Sequence, residues 1–468
     1  MKVDFGRLLL VLLVASLWGC SSVIKPVNQP VDPSKPQFNG RLATQDKRDD
    51  YHVVLAFSGG GMRAAALSYG VLEALHDIQL SDSSGQSRTL LSEVDLITSV
   101  SGGSFTSAYY GLYGDRIFTD FEQLFLRQDV KGSLISRLLS PGYWFKSLFS
   151  GFDRTEMSVE YYDSNIFRGA TLGDLNPDGP FIEINATDLA SGLRFPFTPS
   201  VFDYICSDWA SFPVARAVTA SSAVPVLFPP VVLKNYAGEC GYKFPVLEKQ
   251  AKLVGESSEY GRYIYEALEK LSDAETWPYI HLVDGGISDN LGLRSVIERV
   301  DMMGAENIAQ QNRLPSEIVI VLVNAETSPE SGIEHSPRKP KLGTTVSAFS
   351  HVQVERYNLE TRALFKRRLG HYRDVFKQHY QGEKPLHITY ANLGFSGIAD
   401  DEVRRFFNNM PTTFSMSDAE VDSLIAAGRS LLQADEGFQA FLDRAGATLP
   451  DTPPARKQLC RNLFGLGC

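Results

Sequence analysis

Three short motifs hold residues able to do covalent chemistry. Ser101 lies in Ser99-Val100-Ser101-Gly102-Gly103, between an apolar run at 94–100 and a helical pattern beginning near Ser104. A serine on a sharp strand-to-helix turn lifts its hydroxyl above a sheet, and the turn tolerates only small neighbours. Ser99 stands where the common pattern has glycine, and it too is small. A serine hydroxyl is a poor nucleophile without a positioned base. Asp284-Gly285-Gly286, directly after a second apolar run, supplies a carboxylate on a flexible turn, although alone it reads as an ordinary aspartate turn. The third motif is Phe57-Ser58-Gly59-Gly60-Gly61-Met62-Arg63-Ala64. Bare backbone N–H groups in such a loop can converge on a phosphate or an oxyanion. As a dinucleotide fingerprint it yields only Gly59-x-Gly61-x-x-Ala64, with no clear acidic residue ending a second strand about twenty residues on. A tight turn that needs glycine is the plainer reading.

These motifs need strands and helices to hold them. Apolar runs predict strands at 52–57, 94–100, 180–186, 278–283, 317–324 and 386–390. Several are apolar on both faces, as in the covered strands of a mainly parallel sheet. Helical patterns fall at about 62–77, 103–113, 118–139, 213–222, 257–272, 289–300 and 344–368, so the chain reads as layered α/β. After 395 the pattern turns helical, and Ser417 with Glu420 matches a capping box ahead of 417–432. Residues 235–276 read as an insertion and 328–342 as an exposed loop. Each chemical motif then sits at the carboxyl end of a predicted strand, where an open α/β sheet forms its crevice.

With 468 residues, 43% hydrophobic and 21% charged, the composition is globular. The 45 Lys+Arg against 55 Asp+Glu, net charge −10, argue against a nucleic-acid partner and against adhesion to anionic lipid by charge. No H-E-x-x-H or Cys/His cluster appears, so no metal and no cofactor are expected. The first residues, MKVDFGRLLLVLLVASLWGC, form a secretory signal whose uncharged run of about ten residues is too short to span a bilayer. Leu17-Trp18-Gly19-Cys20 resembles the lipobox of bacterial lipoproteins, with Asp4 and Trp18 as departures. That resemblance implies cleavage before Cys20 and acylation of Cys20, a firm membrane anchor without any basic patch. Ser21 at the next position implies delivery to the outer membrane. Residues 20–50, with Pro26, Pro30, Pro33 and Pro36, read as a flexible tether. Cys20 also accounts for the odd count of five cysteines. Cys206, Cys240, Cys460 and Cys468 remain and allow three pairings in an oxidising periplasm; closeness in sequence favours Cys206–Cys240 with Cys460–Cys468.

Taken in order, the glycine loop, serine elbow and aspartate loop resemble the patatin-like phospholipases, whose Ser–Asp dyad needs no histidine. The resemblance runs from about Val53 to Ala325. It includes Ala186-Thr187-Asp188-Leu189, the stretch from Ala217 to Pro225, Phe228-Pro229-Pro230 and Asp284-Gly285-Gly286. It implies a three-layer α/β/α patatin-like fold around a mainly parallel sheet, with a helical C-terminal extension. The implied organisation is a signal at 1–19, a lipidated tether at 20–50, a catalytic domain at 51–330 and an extension at 331–468 that completes it. It makes Ser101 the nucleophile, Asp284 the proton acceptor, and the amides of Gly59, Gly60 and Gly61 the oxyanion hole, with Arg63 as nearby support. Ser58 departs from the aspartate many members have there. The implied protein is a membrane-anchored serine acyl hydrolase of phospholipid or another lipid ester, facing the periplasm. A catalytically silent lipid-binding or scaffold lipoprotein of the same fold is the alternative.

Two other features bear on function. His351, His371, His379 and His387 all follow Asp284, so a Ser–Asp–His triad is compatible with the chain order. Residues 134–152 hold Tyr143, Trp144, Phe145, Phe149 and Phe152, a set that either meets a membrane interface and governs acyl-chain access or packs the core.

Overall fold

Apolar β-branched runs build the central sheet. The structure, a computed structural model, describes residues 26–32, 50–81, 87–150, 152–225, 227–241, 259–311, 314–328, 333 and 337–450. In chain order the strands are β1 (Tyr51–Phe57), β2 (Gln79–Ser81), β3 (Ser87–Thr89), β4 (Val94–Val100), β5 (Phe181–Asp188), β6 (Arg194–Pro196), β7 (Val231–Lys234), β8 (Tyr279–Asp284), β9 (Glu317–Asn324) and β10 (His387–Gly394). The helices are α1 (Met62–Asp77), α2 (Gly102–Tyr113), α3 (Val130–Leu138), α4 (Pro141–Ser150), α5 (Arg154–Tyr162), α6 (Pro199–Tyr204), α7 (Val214–Ser221) and α8 (Glu259–Leu271). They continue with α9 (Gly286–Asp289), α10 (Leu293–Met303), α11 (Ala305–Gln311), α12 (Leu342–His379), α13 (Asp401–Asn408), α14 (Asp418–Ala434) and α15 (Glu436–Ala445).

The main sheet runs β10-β9-β1-β4-β5-β8-β7, with β6 also on β5, while β2 and β3 form a separate hairpin. Strands β10, β9, β1, β4 and β5 are parallel. β9 is buried at every position, which explains why its sequence does not alternate. Along β1 the pleat sends Val53, Leu55 and Phe57 into a core shared with α1, α2 and α14. It sends Val54 and Ala56 into a second core under α10, α11 and α12. The layering is therefore α/β/α, as expected.

Two expectations about direction and length are revised. β8 pairs antiparallel with β5 (Ala186↔Asp284, Asp188↔Leu282), so the aspartate strand enters against the parallel half of the sheet. Asp284 still reaches the level of the serine elbow, because Val100 pairs with Asn185, next to Ala186. The predicted helix at 344–368 extends to His379 as the 38-residue α12. The pattern at 118–139 is two elements, a π-helical segment Ile117–Leu126 and α3, with Asp129 capping the second through a 2.8 Å bond from the Gly132 amide. Gly292, at φ 71°, separates α9 from α10 within the expected 289–300 helix. The Ser417–Glu420 capping box is present at α14.

Cys206 and Cys240 form a disulfide, Cα atoms 5.5 Å apart. Cys20, Cys460 and Cys468, the signal and most of the tether lie outside the described residues. Within the expected tether, Asn28 is docked: its carboxamide donates to the Lys234 carbonyl and accepts from the Lys234 amide, both at 2.8 Å. β7 is an edge strand, and this side chain satisfies backbone groups that an edge leaves open. Among the described residues, no helix is long and apolar enough to cross a membrane.

Candidate active site

The sequence brings Ser101 to the end of β4, at the entry to α2. Its backbone sits at φ 50°, ψ −119°, a conformation rare outside glycine that costs about 1–3 kcal/mol. Compensation comes from close packing and hydrogen bonds. A Cβ on Gly102 would lie 1.9 Å from the Gly61 carbonyl oxygen, so the elbow can press on the glycine loop only with glycine there. The Ser101 amide donates to Ser221 Oγ at 2.8 Å, and Ser221 Oγ donates to the Asn185 carbonyl at 2.6 Å. Ser104 Oγ lies 3.0 Å from the same hydroxyl. Ser99 fits the elbow because Ser107 donates to its hydroxyl at 2.6 Å in a buried contact.

Asp284 is 9% exposed and Ser101 7%. The Ser101 hydroxyl lies close enough to the Asp284 carboxyl to pull it down. The Gly286 amide donates to Asp284 Oδ1 at 2.7 Å. Burial raises the Asp284 carboxyl to about 6, against the opposing pull of the Gly286 amide and the Ser101 hydroxyl. Its backbone is anchored on both sides: the Asp284 amide donates to Ala223 O at 2.9 Å, and Thr187 Oγ1 donates to Asp284 O at 2.8 Å.

The glycine loop differs from expectation at one position. The Gly59 amide donates to the Asn290 carbonyl at 2.9 Å, so it is committed to a structural bond and unavailable to an oxyanion. Among the described residues, the Gly60 and Gly61 amides make no intramolecular hydrogen bond. The Gly102 amide, first in α2, likewise has no intramolecular acceptor there and lies against Gly61. The loop and elbow amides left without an intramolecular acceptor among the described residues are therefore those of Gly60, Gly61 and Gly102. Ser58 does not face the cleft as a reacting group: it accepts from the Ala325 amide at 2.8 Å and binds the loop to the end of β9.

Arg63 is buried, and its guanidinium donates to Ala325 O (2.8 Å), Met410 O (2.7 Å) and Thr412 Oγ1 (3.1 Å). Burial lowers it to about 10. It braces the loop from below, with Nη2 3.3 Å from where a Gly60 Cβ would stand. The adjoining Thr413 carbonyl accepts from Met62 N at 2.8 Å.

Ser101, Asp284, Gly59, Gly60 and Arg63 share one cleft of about 700 Å³. Its outer wall is α12, through Phe349, His351, Val354, Glu355, Tyr357 and Asn358. Among the described residues, none of 134–152 lines it. In that segment Tyr143 and Phe152 pack against the core, whereas Trp144 and Phe145 are 57% and 67% exposed. His351 is in the wall, but its ring lies against Thr327 O (3.2 Å) and Glu355 (3.9 Å) rather than either reacting residue. Sequence reasoning missed Ser221, Asn290 and the α12 wall. The only signal for Ser221 was its place in the run from Ala217 to Pro225.

A strained serine and a buried carboxylate share one cleft of a layered α/β fold, beside loop amides without an intramolecular acceptor. The sequence profile of the patatin-like phospholipases matches residues 55–297, and the chain belongs to that family. No curated protein matches it. Among solved structures, human GIVD cytosolic phospholipase A2 is similar at 11% identity and TM-score 0.45, over 86% of this chain and 64% of that one. The same human enzyme bound to methyl gamma-linolenyl fluorophosphonate aligns at 13% identity and TM-score 0.40, over 86% of this chain and 61% of that one. VipD from Legionella pneumophila aligns at 13% identity and TM-score 0.29, over 85% of this chain and 67% of that one. The chain thus spans just over three fifths of the human enzyme's length.

Proposed function

We propose that this protein is a serine lipid acyl hydrolase of phospholipase A type, held on a bacterial outer membrane by an acylated Cys20 and facing the periplasm. The placement of Ser101 at a strained elbow, in one cleft with the buried Asp284 carboxyl, is the observation that carries the reading. Ser101 Oγ attacks the ester carbonyl as its proton passes to Asp284. The tetrahedral oxyanion is met by the Gly60, Gly61 and Gly102 amides. Asp284 then gives the proton to the leaving alcohol, and later takes one from the water that cleaves the acyl-enzyme. A positioned base contributes about 10²–10⁴-fold, and each oxyanion donor about 10²–10³-fold. No histidine is needed if Asp284 takes the proton itself, and His351, the histidine of the cleft wall, lies against Thr327 and Glu355 instead.

The Leu17-Trp18-Gly19-Cys20 sequence supports the anchor. The Cys206–Cys240 disulfide supports an oxidising compartment. The deciding experiment is labelling of the full chain with a fluorophosphonate, followed by mapping of the modified residue. Label on Ser101, absent from a folded Ser101→Ala variant, is expected. A folded protein that takes no label and cleaves no ester would refute the reading and leave a silent lipid-binding module.

A further inference from the structure

The cleft is sorted by chemistry across the sheet. The order β9-β1-β4-β5-β8 places Ser101, after β4, between the loop following β9 and the loop following β8. On the β8 side the lining is apolar, with Ile287 behind the aspartate and Val224 and Pro225 from the turn whose Ala223 carbonyl holds Asp284. On the β9 side α12 adds the apolar Phe349, Val354 and Tyr357, but this side also carries the glutamates of the lining. Glu326 follows β9, and α12 brings Glu355 and His351 against the same loop. Glu355 accepts from Ser328 Oγ at 3.1 Å, and His351 contacts the Thr327 carbonyl.

The charges on that side are unequal in availability. Glu326 is matched: Arg362 pairs with it, and Asn358 donates to it at 3.0 Å. Glu355 is 45% exposed on its side chain and meets only a hydroxyl and, at 3.9 Å, the His351 ring in its immediate contacts. Among the described cleft-lining residues Arg63 is the one Lys or Arg side chain, and its guanidinium is committed to Ala325, Met410 and Thr412. A lipid whose acyl chain takes the apolar β8 side presents its headgroup to a wall with an open carboxylate. A headgroup ammonium gains from that wall, and a net-anionic headgroup is repelled by it.

Resting on the hydrolase reading, we propose that Glu355 is a specificity-determining residue that selects amine-bearing zwitterionic headgroups over net-anionic ones. The test offers the full-length protein one mixed micelle of phosphatidylethanolamine and phosphatidylglycerol with identical acyl chains. Both lysolipid products are measured together by mass spectrometry. A single surface carrying both lipids cancels any general repulsion between an acidic protein and an anionic interface. The ethanolamine lipid is expected to be cleaved about two- to fivefold faster, the range of one partly exposed charge pair. Glu355→Gln should bring the ratio to about one, and Glu355→Lys should invert it. A wild-type ratio at or below one, or a ratio untouched by Glu355→Lys, overturns the inference. Wild-type hydrolysis of the uncharged ester p-nitrophenyl butyrate separates the two failures. If that ester is cleaved while the ratio is flat, only headgroup selection falls. If neither ester nor phospholipid is cleaved, the hydrolase reading falls with it.

Discussion

Ser221→Ala tests whether the elbow is held by one buried hydroxyl. Ser221 is fully buried, and its Oγ accepts the Ser101 amide at 2.8 Å, donates to the Asn185 carbonyl at 2.6 Å and touches Ser104 Oγ. Alanine leaves the Ser101 amide without its acceptor in a fully buried place. An orphaned buried donor costs about 1–3 kcal/mol. The Asn185 carbonyl loses a donor as well, so a stability loss within that range is expected. The catalytic loss should be larger in proportion. Ser101 is kept at φ 50° against a strain of about 1–3 kcal/mol, and without the Ser221 bond the turn can relax. A displacement near 1 Å at a reacting atom costs about 10²-fold. We expect kcat on p-nitrophenyl butyrate to fall between about 10- and 100-fold with KM little changed. The urea midpoint should fall, with the slope of the transition unaltered. A Ser221→Ala protein with wild-type kcat and wild-type midpoint would refute the idea that this hydroxyl maintains the elbow.

Two further outcomes follow from the same geometry. Asp284 must be ionised to take a proton, and burial sets its carboxyl at about 6, so kcat/KM should rise with pH up to about 6 and level off above it in a pH-rate profile. The folded value lies above the ordinary 3.8, so this residue favours the folded state below about 4 and that contribution is lost as pH rises through 6; a profile flat from pH 4 to 8 would exclude Asp284 as the base. Gly60→Pro removes one loop donor and cannot adopt the observed φ of 142°, so esterase activity should drop at least about 10²-fold, measured on protein whose circular dichroism is unchanged.

The legible parts of the molecule were those governed by local physics. β4 and β9 span the predicted residues because their uninterrupted apolar runs have no other way to be buried. Gly102 and Gly285 marked turns because a Cβ at either would collide with backbone, at 1.9 Å and 2.2 Å respectively. What stayed hidden depends on partners far along the chain. An apolar run carries no sign of direction, so the antiparallel entry of β8 could not be read from YIHLVD. β6 and β7, three and four residues long, are too short to show a period. The Gly59 amide looks the same in sequence as that of Gly60, and only the carbonyl of Asn290 makes them different. The pattern at 344–368 gives a helix but not its partner, and only the contacts with the loop after β9 show that the first half of α12 walls the cleft.

The three bonds of the Arg63 guanidinium set a limit on modularity. Its partners are Ala325, just past β9, and Met410 with Thr412, some 350 positions away in the chain. The stretch matched by the family profile ends at residue 297 and contains none of them. A chain cut after residue 330 would retain Ser101, Asp284 and every glycine of the loop, yet leave a buried cation with two of its three acceptors gone. It would also lose β10 from the sheet and the Thr413 carbonyl that receives the Met62 amide. The smallest unit able to inherit this chemistry in a gene fusion or a trimmed expression fragment therefore extends past Thr413. The region beyond residue 330 is as much a part of the reaction centre as the motifs that announce it.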